Sequence, residues 1–396
     1  MSDRYGDRGV STSKSEVHAA ISSADKGLYP GAFCKILPDV LGGDPDYCLI
    51  MHADGAGTKS ALAYLAVQEG ADPAVVWGGV AQDALVMNLD DCGSVGATTD
   101  FVVSNTIGRN AKRVDGSAIA GIVQGYEASV RMLAEQGIVC HLAGGETADV
   151  GDLVRTIIVD STVTVRMRRG QVIDASRIVP GDVIVGLSST GQANWETRPN
   201  SGMGSNGLTS ARHDGLGTVY RRYVETYAPE VDPALIYAGH HLLTDLLPGC
   251  EAWGMTIGEA LLSPTRTYLP YIKRLIARLG SGQIHGIIHC SGGGQSKIRV
   301  FGPDTVIYKK HSPFPVPPLF AMLKQATGSS WHEMYRVFNM GHRLEVVLPR
   351  DLAAICIEVA AACGIEAKIV GDVIERNQPG REVRIIAPDG SWLCYS

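Results

Sequence analysis

The 396-residue chain has few aromatic side chains, no excess of positive charge and no long uncharged apolar run. Its formal net charge is −6, so it carries no general basic field that would attract nucleic acid or an anionic membrane surface. The apolar stretch at 352–365 includes Glu358 and is too short to span a bilayer. We therefore expect neither a nucleic-acid nor a membrane partner, and an anionic small-molecule substrate must meet a local basic pocket.

The cysteines form no pattern that indicates disulfides or bound zinc. There are nine of them, they are scattered, and no Cys-x-x-Cys occurs, which argues against a disulfide framework and a zinc ribbon. The first ten residues are charged and lack the apolar centre of a secretory signal. The sequence accordingly predicts a cytosolic protein of a reducing compartment.

Several common catalytic signatures are missing or lie in the wrong context. The chain has no Walker loop and no Gly-x-Ser-x-Gly elbow. Residues 202–207 read G-x-G-x-x-G, but they follow a polar stretch instead of the strand that a dinucleotide fold requires. His285 and His289 lie four residues apart on a predicted strand, about 13 Å from each other, which is too far to share one metal ion.

The chain is long enough for two domains with cores of their own. It has 45% hydrophobic residues, and apolar spacing predicts a helix over 118–136. Alternating β-branched residues predict a long strand over 156–167, and the charged segment 168–180 follows it. We predict an α/β protein of α+β type, with an N-terminal domain over 1–172 and a C-terminal α/β domain over 173–396.

The segment 52–60 concentrates the residue types that bind phosphate. A predicted strand at 47–51 leads into an acid, two glycines, a hydroxyl and a lysine, namely Asp54, Gly55, Gly57, Thr58 and Lys59. Glycines let backbone N–H groups approach phosphate oxygens, the lysine adds a point charge, and the aspartate can hold the Mg²⁺ of a nucleotide. The alternative interpretation is an ordinary glycine turn with an exposed lysine.

A second acidic cluster strengthens the phosphate interpretation. Asp83, Asp90 and Asp91 interleave with apolar residues in a predicted helix. Brought beside Asp54, these carboxylates would form an oxygen-rich site for Mg²⁺. The alternative is a helix with a solvated acidic end. A further predicted strand at 138–142 leads into a second expected glycine loop, with Glu146 in it.

A series of short blocks resembles the phosphoribosylformylglycinamidine cyclo-ligases (aminoimidazole ribonucleotide synthetases) of purine biosynthesis, nearly end to end. The blocks are Tyr5-x-x-x-Gly9-Val10, Asp54-Gly55-x-Gly57-Thr58-Lys59, Asp90-Asp91 with Val95-Gly96-Ala97, Gly144-Gly145-Glu146-Thr147-Ala148, Ser205-Asn206-Gly207, Ser263-Pro264-Thr265-Arg266-x-Tyr268, His289-x-Ser291-Gly292-Gly293-Gly294, His332-Glu333-Met334-Tyr335-Arg336-x-Phe338-Asn339-x-Gly341 and Gly371-Asp372-Val373. The block at 332–341 points to the cyclo-ligase branch of the wider superfamily.

The resemblance implies ATP and Mg²⁺ as cofactors, formylglycinamidine ribonucleotide as the substrate, and a homodimer whose N-terminal domains form a β-barrel across the interface. It implies catalytic roles for Lys59, Asp91 and His289. The nucleotide-binding set is Asp54, Gly55, Gly57, Thr58, Lys59, Asp83 and Glu146. The metal set is Asp54, Asp83 and Asp91, and the substrate-binding set is Ser205, Asn206 and Arg266, with Arg266 on the ribose phosphate.

The sequence departs from the family pattern in three places. Gly204 stands where the family usually has a histidine before Ser-Asn-Gly, so that histidine's proton-transfer role does not carry over. The alternatives are that His213 or His289 substitutes for it, or that the step does not need it. The usual Asn-Asp pair is Asp90-Asp91. Residues 192–203 are longer than expected and form either a lid over the cleft between the domains or a surface loop. Two alternatives stay open: another ATP-using superfamily enzyme (a selenophosphate synthetase, thiamine phosphate kinase or hydrogenase maturation factor), or a protein that binds purine intermediates without turnover.

Overall fold

The computed structural model describes residues 4–10, 15–20 and 23–396. Its strands form two sheets, one built from residues before 169 and the other from residues after 182. The fold therefore combines α and β elements in two parts, as predicted, while the exact boundary at 172/173 stays a prediction. None of the described helices combines the length and apolarity needed to cross a bilayer.

The N-terminal part contains a five-stranded sheet in the order β1-β2-β5-β3-β4. All neighbours are antiparallel except β3 and β4, which are parallel. The elements are α1 (Arg4–Asp7), α2 (Ser15–Ala20), β1 (Leu37–Pro38), β2 (Tyr47–Gly55), α3 (Lys59–Gln68), α4 (Pro73–Ser94), β3 (Phe101–Arg109), α5 (Gly116–Glu135), β4 (Cys140–Asp149) and β5 (Ile157–Arg168). The predicted helix at 118–136 and strand at 156–167 are thereby confirmed.

Helices α4 and α5 cover one face of this sheet because their sequences define both ends and their contact. Asp72 and Asp115 cap them, each side chain accepting a backbone N–H two residues on at 2.9 Å. The helices pack so closely that a Cβ on Gly125 would lie 2.6 Å from the Gly78 Cα. Their buried side chains meet the inward residues of the strands in one apolar core.

The second glycine motif lies within a strand, which corrects the prediction of a loop. Strand β4 continues through the Gly-Gly-Glu-Thr segment to Asp149, paired in parallel with β3. A register shift between Val103 and Asn105 accommodates Gly144, whose φ is +87°. The irregularity lets the ladder resume after the glycines, and a bulge of this kind leaves no periodic signal in the sequence.

The C-terminal part has a mixed seven-stranded sheet in the order β12-β11-β8-β10-β6-β9-β7, with an apolar core on each face. Only β11 and β8 are parallel neighbours. The elements are β6 (Val183–Ser188), α6 (Leu208–Gly215), α7 (Ile257–Leu261), α8 (Leu269–Leu279), β7 (Gly286–His289), β8 (Val306–Lys310), α9 (Pro318–Thr327), α10 (Trp331–Val337), β9 (His342–Leu348), α11 (Ala353–Ala362), β10 (Ala367–Glu375), β11 (Glu382–Ile386) and β12 (Trp392–Tyr395).

The segment 263–268 joins the two parts by hydrogen bonds to buried acids of α4. Asp83 accepts the Thr265 backbone N–H at 2.8 Å, and Asp90 accepts the Thr267 hydroxyl at 2.7 Å and the Tyr268 N–H at 2.9 Å. Because both carboxylates are fully buried, these bonds are needed to offset the cost of desolvating them.

We expect Gly125→Ala to lower the free energy of unfolding by about 1–3 kcal/mol, because the new methyl group overpacks the contact between α4 and α5. Gly116→Ala, in the same helix, is the matched control, since a Cβ there meets nothing within 4 Å. Chemical denaturation at one fixed protein concentration measures both. Equal effects of the two substitutions would contradict the close helix contact.

Candidate active site

Four segments from both parts of the protein converge on α4: the turn 55–59 between β2 and α3, the glycine-rich segment 204–209, the segment 263–268, and residues 289–294 after β7. The Thr58 and Thr209 hydroxyls lie 2.9 Å apart, which joins the first segment to the second. The Lys59 ammonium donates to the Ser263 carbonyl at 2.6 Å, which joins the first to the third. A Cβ on Gly292 would lie 3.6 Å from Asn206 Oδ1, so the second and fourth segments are also neighbours.

The end of β2 presents an acidic, glycine-lined turn to solvent. Asp54 is exposed, and its side chain accepts only the Gly55 N–H, at 2.7 Å, among the hydrogen bonds of the described chain. Asp160 on β5 lies across Gly55, where a Cβ would come within 1.7 Å of its Oδ1. Burial, and then the charge of Asp54, raise the pKa of Asp160. Asp160 therefore lies beside Gly55, close enough to Asp54 for the two charges to interact.

Lys59 is buried under this turn and is not exposed as a free phosphate ligand. Its Nζ lies 3.0 and 2.8 Å from the two oxygens of Asp83, and it also approaches the Gly204 carbonyl at 3.4 Å. Burial lowers the pKa of Lys59, and the charge of Asp83 opposes that shift. Asp83 also accepts the Thr265 hydroxyl. In this arrangement Lys59 and Asp83 neutralise each other and fix the turn to the C-terminal part.

Asp91, near the C-terminal end of α4, forms a polar centre together with two histidines. His289 Nδ1 lies 2.7 Å from Asp91 Oδ1, and His52 Nε2 lies 3.3 Å from Asp91 Oδ2. The His289 ring is buried, and its Nε2 has no hydrogen-bond partner within the described chain. A carboxylate that holds one ring nitrogen fixes the ring orientation and leaves the other nitrogen for a reacting group.

Asn88 connects this centre to the acidic turn. Its amide donates to the carbonyls of Asp54 and Ser161 at 3.1 and 3.2 Å, and its oxygen lies 2.9 Å from His52 Nδ1. Asn88 thereby links the end of β2 to His52, and His52 links it to Asp91, so that these residues form one hydrogen-bonded network.

The structure does not assemble the predicted metal trio. Asp83 and Asp91 are eight residues apart on α4, about 12 Å along its axis, and Asp83 is occupied by Lys59 and Thr265. The described residues contain no group of three or more His, Cys, Asp or Glu side chains placed to hold one ion. The carboxylate whose charge does interact with Asp54 is Asp160.

Of the three predicted substrate-binding residues, two are accessible at the site and the third is buried in other contacts. Ser205 and Asn206 are partly exposed beside the turn and residues 291–294. Arg266 is buried, and its guanidinium donates to the Glu196 carboxylate at 2.9 and 2.6 Å and to the carbonyls of Ser188, Thr190 and Gly191 at 2.8–3.0 Å. All of its nitrogens are engaged, so this geometry does not offer Arg266 to a ribose phosphate.

The long segment 192–203, predicted to be a lid or a surface loop, is held against the domain by the Glu196–Arg266 pair. Asn200 adds a bond to the Pro264 carbonyl at 2.7 Å. The segment borders a cavity of about 400 Å³ on the outer side of α4 and α5, away from the acidic turn.

Glu146 lies on the sheet surface and not beside Asp54. Its register partner is Thr106, which pairs with Asp160, which in turn pairs with Gly55. Three strand spacings separate Glu146 from Gly55, about 14 Å. Its predicted nucleotide role stays a prediction.

The sequence interpretation left out His52, Asn88 and Asp160. His52 lies two residues before Asp54, and Asn88 lies two residues before the Asp90-Asp91 pair, so both are close in sequence to residues already selected. Asp160 gives no local signal, because only the pairing of β5 with β2 brings it to Gly55.

His213, a candidate replacement for the missing histidine, is buried in an aromatic cluster with Tyr227 and Tyr237. Its Nδ1 accepts the Tyr237 N–H at 3.2 Å. Burial, followed by the charges of Arg212 and Arg8, lowers the pKa of His213 to about 2. A neutral buried acceptor is a structural group, and we place no proton transfer on it.

Because His213 is buried in its neutral form, we expect the free energy of unfolding to fall in acid. The unfolded histidine titrates near 6.5 and the folded one near 2, so the unfolded chain binds the extra proton as the pH falls below about 6.5. We expect the wild type to lose about 1.4 kcal/mol more than His213→Asn between pH 7.5 and 5.5. Urea unfolding at both pH values measures this, and parallel losses would show that His213 is not buried neutral.

Comparison with protein families gives two matches in chain order. Residues 34–167 match the family model described as "AIR synthase related protein, N-terminal domain", and residues 179–384 match "AIR synthase related protein, C-terminal domain". The second match alone spans more than half of the chain.

Curated relatives are similar in sequence over most of the chain, and a solved structure is similar in fold. The chain is 27% identical over 359 residues to a phosphoribosylformylglycinamidine cyclo-ligase of Methanococcus vannielii, covering 89% of this chain and 83% of that protein. For the enzyme of that name in Thermosynechococcus vestitus the values are 29% over 333 residues, 82% and 81%. A HypE–HypF complex is similar in fold, with a TM-score of 0.56, 14% identity and coverage of 96% and 98%. The chain belongs to the AIR synthase related protein family.

Proposed function

We propose that this protein catalyses the ATP-dependent ring closure of formylglycinamidine ribonucleotide to aminoimidazole ribonucleotide, with release of ADP and phosphate. The observation that carries the proposal is the junction of the acidic glycine turn, the Asp91–His289 pair and the 204–209 segment on one helix. The full-length similarity to enzymes named cyclo-ligases supports the same reaction.

The chemistry requires activation of an amide oxygen, because that oxygen is a poor leaving group. Transfer of the ATP γ-phosphoryl group to the formyl oxygen gives an iminophosphate. The amidine nitrogen then attacks the same carbon, the ring closes, and the C–O bond breaks as phosphate departs. The protein's contribution to such a transfer is mainly orientation and charge neutralisation around the phosphoryl group.

In this proposal, the backbone of Gly55 and Gly57 and the Thr58 hydroxyl lie along the ATP phosphates. Lys59 holds the turn in place through Asp83 and the Ser263 carbonyl, which differs from the direct phosphate contact that the sequence predicted. Ser205 and Asn206 face the substrate amide from the opposite side of the cleft.

The acidic turn fits Mg²⁺ through two carboxylates. Asp160 lies across Gly55 from the turn, and burial first and then the charge of Asp54 raise its pKa; a divalent cation bound by both carboxylates would relieve the repulsion between them. Mg²⁺ typically uses one or two carboxylates together with phosphates and waters. Asp54 and Asp160 would hold the ion, which neutralises charge on the nucleotide phosphates when bound.

His289 is the group placed to donate to, or exchange a proton with, the reacting oxygen. Asp91 fixes its Nδ1 at 2.7 Å, and the partnerless Nε2 is the atom left for the substrate. This arrangement supports the catalytic roles predicted for Asp91 and His289.

The direct test is turnover with purified protein, ATP, Mg²⁺ and formylglycinamidine ribonucleotide. We expect ADP and the aromatic amine of the product to form in equal amounts. ADP release that does not depend on this substrate would indicate another enzyme of the family, and binding without ADP release would indicate a non-catalytic protein.

We expect His289→Asn to lower kcat by at least about 100-fold, the usual range for a lost acid–base group. His285→Asn is the control, because His285 also pairs with an aspartate, Asp182, at 2.7 Å but lies outside the site. Steady-state kinetics at one pH compares the two. Equal activities would remove His289 from the reaction.

We also propose that two copies associate through the open face of the N-terminal sheet, which we define by Met51, Val102 and Ile158. These side chains are 63%, 45% and 41% exposed and lie opposite the face covered by α4 and α5. Strand β4 is an edge strand whose residues from His141 to Thr147 are exposed on both faces.

A second copy of this chain fits the open face because apolar area and an unpaired strand edge occur together there. A two-fold arrangement would place each open face on its equivalent and continue the sheet into the barrel that the family resemblance implies. Gly55, Asp160 and Glu146 share one row of this face, so the nucleotide turn would lie at the edge of the interface.

We expect Val102→Glu to convert the dimer into monomers, since it introduces two charges into a two-fold contact. Val219→Glu is the matched control, because Val219 is also 45% exposed but lies in the C-terminal part. Sedimentation velocity measures both. A monomeric wild type, or dissociation by Val219→Glu alone, would contradict this interface.

A further inference from the structure

Arg343 is a buried cation that the proposed reaction has not yet used. It lies in β9, HRLEVVL, where every residue is buried. In the pairing of β9 with β6, Leu344 faces Leu187 and His342 faces Ser188, so Arg343 is the extra residue of a β-bulge. Bulges re-aim side chains and occur often next to active sites.

The bulge directs the Arg343 guanidinium toward the junction of the two parts. Its Nη2 donates to the Arg266 carbonyl at 2.7 Å, and its Cζ lies 5.6 Å from the Tyr268 ring centre. Nε and Nη1 are buried and find no acceptor among the residues that the structure describes. Native proteins rarely leave charged donors in this state unless a water or an ion completes them.

The Nη1 group occupies the volume that Gly204 leaves free. A Cβ at position 204 would lie 2.6 Å from Nη1, and the backbone there has φ +67°. The family resemblance places a histidine side chain at this position. In this protein, Arg343 from β9 reaches the same space. The Lys59 ammonium approaches the Gly204 carbonyl from the nucleotide turn at 3.4 Å.

The neighbouring cations are already neutralised. Lys59 pairs with Asp83, and Arg266 pairs with Glu196. Arg343 has no carboxylate partner at ion-pair distance within the described ranges, although its charge reaches Asp90: burial raises the pKa of Asp90, and Arg343 is one of the groups that oppose this shift. Among the described residues of the site, Arg343 is therefore a buried positive charge with no carboxylate in direct contact.

We propose that Arg343 binds a phosphate group of the reactants, with Nη1 beside Gly204 donating to its oxygens. The inference deepens the proposed function and rests on it. Guanidinium N–H groups match phosphate oxygens, and a desolvated site strengthens such contacts. The same chemistry is available from the terminal phosphate of ATP and from the ribose phosphate of the substrate.

The test compares phosphate binding by wild type, Arg343→Met and Arg343→Lys. Inorganic phosphate, a nonhydrolysable ATP analogue and ribose 5-phosphate serve as separate probes in isothermal titration calorimetry. We expect Arg343→Met to weaken phosphate binding at least tenfold and Arg343→Lys to retain part of it. A loss confined to the ATP analogue assigns the terminal phosphate, and a loss confined to ribose 5-phosphate assigns the substrate.

Arg212→Met is the matched control. Arg212 is also buried, lies near an aromatic ring (5.9 Å from Tyr237) and has an unpaired Nε in the described structure, but it lies on α6 and outside the site. Wild-type phosphate affinity in Arg343→Met, an equal loss in Arg212→Met, or no phosphate binding by the wild type overturns the inference.

Gly204→Ala tests the same contact if Arg343→Met does not fold. The new Cβ would displace Nη1 while the arginine stays, so phosphate affinity should fall. Gly328→Ala has the same backbone cost, at φ +64°, but its Cβ meets nothing within 4 Å. Unchanged affinity in Gly204→Ala contradicts the inference.

These binding measurements need no turnover, so they separate the two proposals. Phosphate binding through Arg343 without ring closure would refute the proposed function alone. Ring closure by the wild type with unaltered phosphate binding in Arg343→Met would refute only the inference.

Discussion

The buried ion pair between Lys59 and Asp83 is the contact on which the site depends. It joins the start of α3 to α4, and through the Ser263 carbonyl and the Thr265 N–H it reaches the C-terminal part. Removing one partner of a fully buried pair leaves an uncompensated charge at a cost of about 3–5 kcal/mol. The ion pair therefore fixes the turn that presents Gly55 and Gly57 to the junction between the two parts.

Helix α4 has two functions at once, and they are separated along its length. Asp83 and Asp90 bind the segment 263–268, while Asn88 and Asp91 connect the acidic turn to His289. Because one helix carries both sets, the docking of the C-terminal part also fixes the position of the Asp91–His289 pair. In the proposed mechanism the acids of α4 therefore have different roles: Asp83 and Asp90 hold the C-terminal part, and Asp91 orients His289.

The sequence predicted the elements whose periodicity is local, such as α5 and β5, and it predicted that the turn at 54–59, Asp91 and His289 belong to one site. It failed where long-range pairing decides the outcome. The bulge that keeps Gly144 and Gly145 within β4, the ion pairs that occupy Lys59 and Arg266, and the approach of Asp160 to Gly55 all depend on residues distant in the chain. Arg343 had one visible sign: charged residues inside an otherwise apolar strand, HRLEVVL.

A crystal structure with a nonhydrolysable ATP analogue and Mg²⁺ tests the central claim most directly. The account predicts that the triphosphate lies along residues 55–58, with the metal at Asp54 and Asp160 and the terminal phosphate toward His289. A nucleotide bound instead in the cavity between α4, α5 and residues 195–200 would contradict it.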